Sequence, residues 1–124
     1  MKQKVTADTS IWIEYLRNNS NVIEIMDNKL MDNSICIVGV VREIIRQNID
    51  AVEYQEIAYE DWIKAGEISN DLRKNGITLP MADIVIAATA QMHGIQVLTF
   101  DNHFKQISNL TGLNLILLNA EEAQ

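Results

Sequence analysis

This sequence predicts an α/β fold, with a mostly parallel central sheet covered by helices on both faces. Three observations predict it. Short β-branched runs alternate with longer segments whose apolar residues recur at helical spacing. The helical segments are punctuated by capping or breaking residues, with the single proline, Pro80, at a helix start. Acidic residues stand where strands end or helices begin, the edge at which open parallel sheets bind ligands. Alternation of this kind needs crossover helices between parallel strands, and those helices bury the sheet.

The elements follow in order. Lys4–Ala7 reads as a short strand, and Thr9–Asn18 as a helix with Ile11, Trp12, Tyr15 and Leu16 on one side. A second helix is predicted at Asn21–Met31, where Val22, Ile23, Met26 and Leu30 recur at helical spacing. Ser34–Val38 fits a buried strand, followed by a helix near Val40–Gln47 and a short polar stretch to Gln55. Glu60–Asn75 carries Ala65, Ile68 and Leu72 on one stripe, with Gly76 as its stop. Pro80 opens a helix running to about His93 and closed by Gly94. Ile95–Thr99 and Leu115–Leu118 are two more strands, and the polar tail Asn119–Gln124 is expected to fray. No repeat, low-complexity tract or composition break divides the chain, so residues 1–124 are expected to form a single domain.

Composition narrows the class. Hydrophobic residues make up 48% and charged residues 22% of 124 residues, a globular balance without a disordered tract. No apolar run approaches the roughly 20 residues that span a bilayer, and no apolar signal core follows Met1, so a cytoplasmic location is expected. Cys36, alone in Ile35-Cys36-Ile37-Val38, reads as a small core hydrophobe. The net charge of −7 argues against a broad basic face for nucleic acid. A carboxylate-rich metal site would account for part of that charge. Arg17, Arg42, Arg46 and Lys105 lie near the acidic positions and offer a local basic patch, though each alone reads as a solvated surface charge.

Four acids carry the chemistry: Asp8 after the first strand, Glu43 in the helix after the second, Asp83 in the first turn after Pro80, and Asp101 after Leu98-Thr99-Phe100. Each interrupts or ends an apolar stretch, where an unpaired carboxylate is costly to bury. Singly they have simpler readings: Asp8 and Asp101 as N-caps, Asp83 as a partner of the helix dipole, Glu43 as a partner of Arg42 or Arg46. Brought together, they would repel one another unless a hard cation such as Mg²⁺ or Mn²⁺ neutralised them. Asp8 and Asp101, which end strands, are the first candidates for direct ligands. Asp83 and Glu43 would complete the set or orient a water. Thr9, Ser10 and Thr99 carry hydroxyls beside the acids that can steady them. His103 reads as a turn or substrate-contact residue, His93 as a helix C-terminal residue, and Trp12 and Trp62 as packing or interface residues.

The segments around these acids, "ADTSIWIEYLR" at 7–17, "VVREIIR" at 40–46, "LPMADIVIAATAQMHG" at 79–94 and "VLTFDNHFKQI" at 97–107, together resemble a PIN domain of the kind found in VapC-type toxins of toxin–antitoxin pairs. The resemblance covers nearly the whole chain. It implies a PIN-like fold and a Mg²⁺- or Mn²⁺-dependent ribonuclease with Asp8, Glu43, Asp83 and Asp101 as catalytic and metal-binding residues. It further implies an RNA substrate and an antitoxin protein as partner, and leaves room for a homodimer. The expected antitoxin segment is an amphipathic helix over a groove built partly from the first two helices, around Trp12, Tyr15 and Met26, with a basic side chain reaching the acids. The chain departs from the family pattern after Glu43, where Gln47–Gln55 is shorter than the usual helical connection and Gln47 replaces a common glycine. Two alternative functions keep the fold: a catalytically silent module that binds RNA or protein, and a housekeeping PIN nuclease. A receiver-type phosphoacceptor domain fits poorly, since Asp8 is followed by Thr9 and no lysine follows Leu115–Leu118.

Overall fold

The computed structural model describes residues 3–17, 19–38 and 53–118. The helix expected near Val40–Gln47, with Arg42, Glu43 and Arg46, lies outside these residues. In order, the described elements are β1 (Val5–Ala7), α1 (Thr9–Leu16), α2 (Ser20–Met31), β2 (Ile35–Val38), β3 (Glu53–Gln55), α3 (Tyr59–Lys74), α4 (Met81–Met92), β4 (Gln96–Thr99), α5 (Asn102–Thr111) and β5 (Leu115–Leu117).

The strands form one five-stranded sheet in the order β3-β2-β1-β4-β5, every neighbouring pair parallel. Successive side chains of a strand point to opposite faces, and every residue of β1 and β2 is buried, so helices cover both faces there. The chain builds outward from β1 to β2 and β3, then returns to the other side of β1 for β4 and β5. With the right-handed crossovers that parallel units adopt, this reversal sends the helices to opposite faces. Accordingly α1 packs on α2, while α3, α4 and α5 pack on one another.

Local chemistry explains the helix ends. Asp8 caps α1, and Asn19 caps α2 by accepting from the N–H groups of Asn21 and Val22. Helix α3 has Glu60 and Asp61 in its first turn and Arg73 and Lys74 in its last, both matched to the helix dipole. It ends at Gly76, whose φ of 76° suits a residue without Cβ. Residues Ile84 to Ala90 of α4 are all buried, as befits a helix wedged between the sheet and two other helices.

Two elements differ from the sequence-based expectation. The polar stretch after Gln47 contains a strand, β3, and the segment after Asp101 is a helix, α5, where only a turn was expected. The groove expected around Trp12, Tyr15 and Met26 is also corrected, because Trp12 and Met26 are both 0% exposed. They face the core, Trp12 meeting Tyr15 edge to face with ring centroids 5.9 Å apart. The apolar residues this hairpin exposes are Ile13, Leu16 and Met31. Trp62, by contrast, is exposed on α3. Cys36 is buried, and burial pushes its thiol up to about 11, which makes it a core residue and not a nucleophile. No helix among the described residues is long and apolar enough to cross a membrane.

Candidate functional site

Parallel sheets bind ligands at the carboxyl ends of their strands, in the crevice where the strand order reverses. Here the reversal falls between β1 and β4, and Asp8 and Asp101 follow those two strands. Ala7 of β1 is level with Leu98 of β4, which puts Asp8 beside Thr99 at the crevice. The Asp8 N–H donates to the Leu98 carbonyl at 3.1 Å and so continues the ladder by one bond.

Asp8 is 4% exposed and held from both sides. Its Oδ1 accepts from Ser10 Oγ at 2.6 Å and from the Ile11 N–H at 3.3 Å, and its Oδ2 accepts from Thr99 Oγ1 at 2.6 Å. Burial is the main influence on its carboxyl and raises its pKa; the bonds from Ser10, Thr99 and Ile11 oppose that rise, and the charge of Asp83 adds to it. Ser10 and Thr99 also bind the neighbouring loop: Ser10 Oγ accepts from the Phe100 N–H at 3.4 Å, and Thr99 Oγ1 from the Asp101 N–H at 2.9 Å. Thr9 opens α1 and is not among the partners of Asp8.

Asp101 caps α5, its Oδ1 accepting from the His103 N–H at 2.9 Å. That leaves Oδ2 to face the His103 ring, whose Nδ1 is 3.3 Å away. Asp83, in the first turn of α4, presents Oδ2 to the same Nδ1 at 3.0 Å. One donor atom from each of Asp83, Asp101 and His103 therefore lies within 4.8 Å of the other two. Two carboxylate oxygens and an imidazole nitrogen at that spacing are a donor set that a divalent cation accepts. Asp8 stands beside this group, near enough for its carboxyl to feel the charge of Asp83.

The structure thus brings three of the four sequence-predicted acids to one crevice, and Glu43 falls outside the described residues. His103, read from sequence as a turn or substrate-contact residue, joins them. Only its place two residues after Asp101 hinted at this, because Asp83 reaches it through the packing of α4 against α5. His93 caps the C-terminus of α4, where its Nε2 lies 3.0 Å from the buried Asp61 of α3, so it ties two helices together away from the acids.

Fold and site together define a class: a small doubly wound α/β domain with carboxylates gathered at its switch point. The chain belongs to the PIN domain family, which it matches over residues 33–110. It is 36% identical to Ribonuclease VapC21 of Mycobacterium tuberculosis over 64 residues, which are 50% of this chain and 46% of that protein. The matched region therefore spans about half the length of this curated relative. Among solved structures, a chain of DNA-bound VapBC from Salmonella typhimurium superposes with a TM-score of 0.76 at 19% identity, covering 93% of this chain and 98% of that one. A chain of VapBC2 from Rickettsia felis, bound to a DNA fragment from its promoter, gives 0.77 at 18% identity, covering 94% and 100%. VapBC-5 from Mycobacterium tuberculosis gives 0.72 at 16%, again covering 94% and 100%. At these identities the likeness is one of fold.

Proposed function

We propose that this chain is a metal-dependent endoribonuclease that hydrolyses RNA phosphodiester bonds, and that it is the toxin of a type II toxin–antitoxin pair. The observation that carries the reading is the meeting of Asp83, Asp101 and His103 beside Asp8 at the switch-point crevice. The family match and the likeness to a ribonuclease over half the chain support it.

The residues take distinct roles. Asp83 and Asp101, whose Oδ2 atoms face His103 Nδ1, would hold a divalent ion, Mg²⁺ or Mn²⁺. The chemistry that ion would supply is polarisation of the scissile phosphate and a lower pKa for the attacking water. Asp8 supplies a further acid, oriented by Ser10 and Thr99 through bonds that leave its carboxylate little freedom to turn. Glu43 is kept as the fourth acid on its sequence context. The site thus needs no serine or cysteine nucleophile. The reading takes residues 1–124 as one catalytic domain acting in the cytoplasm.

An antitoxin would hold such a nuclease inactive, with a basic side chain competing for the same carboxylates. The relatives solved as VapBC complexes support a partner of that kind, and a homodimer remains compatible with it. Co-expression with the neighbouring reading frame should yield a co-purifying complex. A chain that binds nothing and leaves growth unaffected when expressed alone would be a housekeeping nuclease instead.

Activity is tested on purified protein with single-stranded and structured RNA. Cleavage should require Mg²⁺ or Mn²⁺, stop in EDTA, and fall by about a hundredfold or more in Asp83→Asn and Asp101→Asn. Undiminished cleavage in EDTA removes the metal mechanism. Binding of RNA without cleavage under every metal condition makes the chain a silent binding module.

A further inference from the structure

His103 is the single nitrogen donor in the carboxylate cluster found among the described residues. We propose that it ligates the bound ion through Nδ1, and that this nitrogen makes the site select Mn²⁺ over Mg²⁺; the inference rests on the metal-dependent reading above. Nδ1 lies 3.0 Å from Asp83 Oδ2 and 3.3 Å from Asp101 Oδ2. Donors about 2.1 Å from an octahedral ion and at right angles to each other are about 3.0 Å apart. Both nitrogen–oxygen spacings are therefore close to an octahedral edge, and an ion held there would take the place of the direct contacts between Nδ1 and the two carboxylates.

The surroundings fix each donor. The α5 cap occupies Asp101 Oδ1 through the His103 N–H, so Oδ2 is the atom left for the ring and the ion. Asp83 rides on a helix whose middle is wholly buried, so its position is set by the core. The His103 side chain is 40% exposed and that of Asp101 37%, which leaves room for water and a phosphate to complete the coordination. To bind the ion the ring would carry its proton on Nε2 and turn the Nδ1 lone pair to the metal. Mg²⁺ favours hard oxygen donors, keeps its waters and tolerates little departure from six oxygens. Mn²⁺ accepts a mixed nitrogen and oxygen set more readily, so one imidazole shifts the preference towards it.

Pulsed EPR on Mn²⁺ bound to the full wild-type chain reads the bond directly. A ligated imidazole gives nitrogen hyperfine modulation, and His103→Gln should abolish it. The same variant should raise the Mn²⁺ dissociation constant about tenfold and that of Mg²⁺ by less than about threefold. Bound Mn²⁺ without nitrogen modulation, or modulation that survives in His103→Gln, overturns the inference and leaves the nuclease reading standing. A chain that binds no Mn²⁺, or binds it equally well as Asp83→Asn, overturns both.

Discussion

Asp8 shows how one residue carries the tension of the site. It is nearly without water, and burial raises its pKa above the ordinary value of 3.8 more than its three hydrogen bonds lower it. The folded chain therefore binds the Asp8 proton more tightly than the unfolded chain does. Its contribution to stability is fully present below the unfolded pKa and is lost as pH rises through the folded one. Above the unfolded pKa, without metal, the buried carboxyl group therefore weakens the fold. Thermal unfolding in EDTA should then give Asp8→Asn the higher Tm at pH 7, with the gap closing as pH falls towards 3.8. An Asn variant less stable at pH 7, or a gap that widens on acidification, contradicts this balance. The sequence made Asp8 and Thr99 legible, since each sits at the end of a β-branched strand. The place of His103 was not legible, because its distance from Asp83 depends on how α4 and α5 pack, and no local pattern records that.

Among the elements, α4 couples the core to the site. Its alanines Ala87, Ala88 and Ala90 are all 0% exposed, so the sheet and its neighbouring helices approach the backbone closely. A larger side chain there has no space to enter. Ala88→Leu should cost about 1–3 kcal/mol, seen as a lower denaturant midpoint at unchanged slope. A variant as stable as the wild type would mean that the wedge is looser than its burial implies. β1, β2 and β4 were readable because their β-branched residues are buried on both faces, and α3 because its apolar stripe ends at Gly76. Two elements lacked such signals. β3 is Glu53-Tyr54-Gln55 on the sheet edge, a polar triplet whose extended form comes from pairing with β2. α5 buries only Phe104 and Ile107, too thin a stripe to separate from a turn after Asp101.

At the scale of the whole molecule, one topological event makes the site. Chain reversal between β1 and β4 opens the crevice, the parallel register sets Asp8 level with Thr99, and the start of α4 brings in Asp83. A net charge of −7 suits a domain that gathers acids to hold a cation more than one that grips nucleic acid with a broad basic face. Among the described residues, Arg17 is well exposed and lies 3.5 Å from Glu14, so its charge is already shared within α1. The central claim is that these separated acids, with His103, form one divalent-cation site at the switch point. Anomalous diffraction from a crystal soaked in Mn²⁺ tests it most directly. The account predicts an anomalous peak at the carboxyl ends of β1 and β4, within about 2.0–2.6 Å of the Asp83 and Asp101 carboxylates. A peak at another edge of the sheet, or an empty crevice in a crystal that binds Mn²⁺ elsewhere, would contradict it.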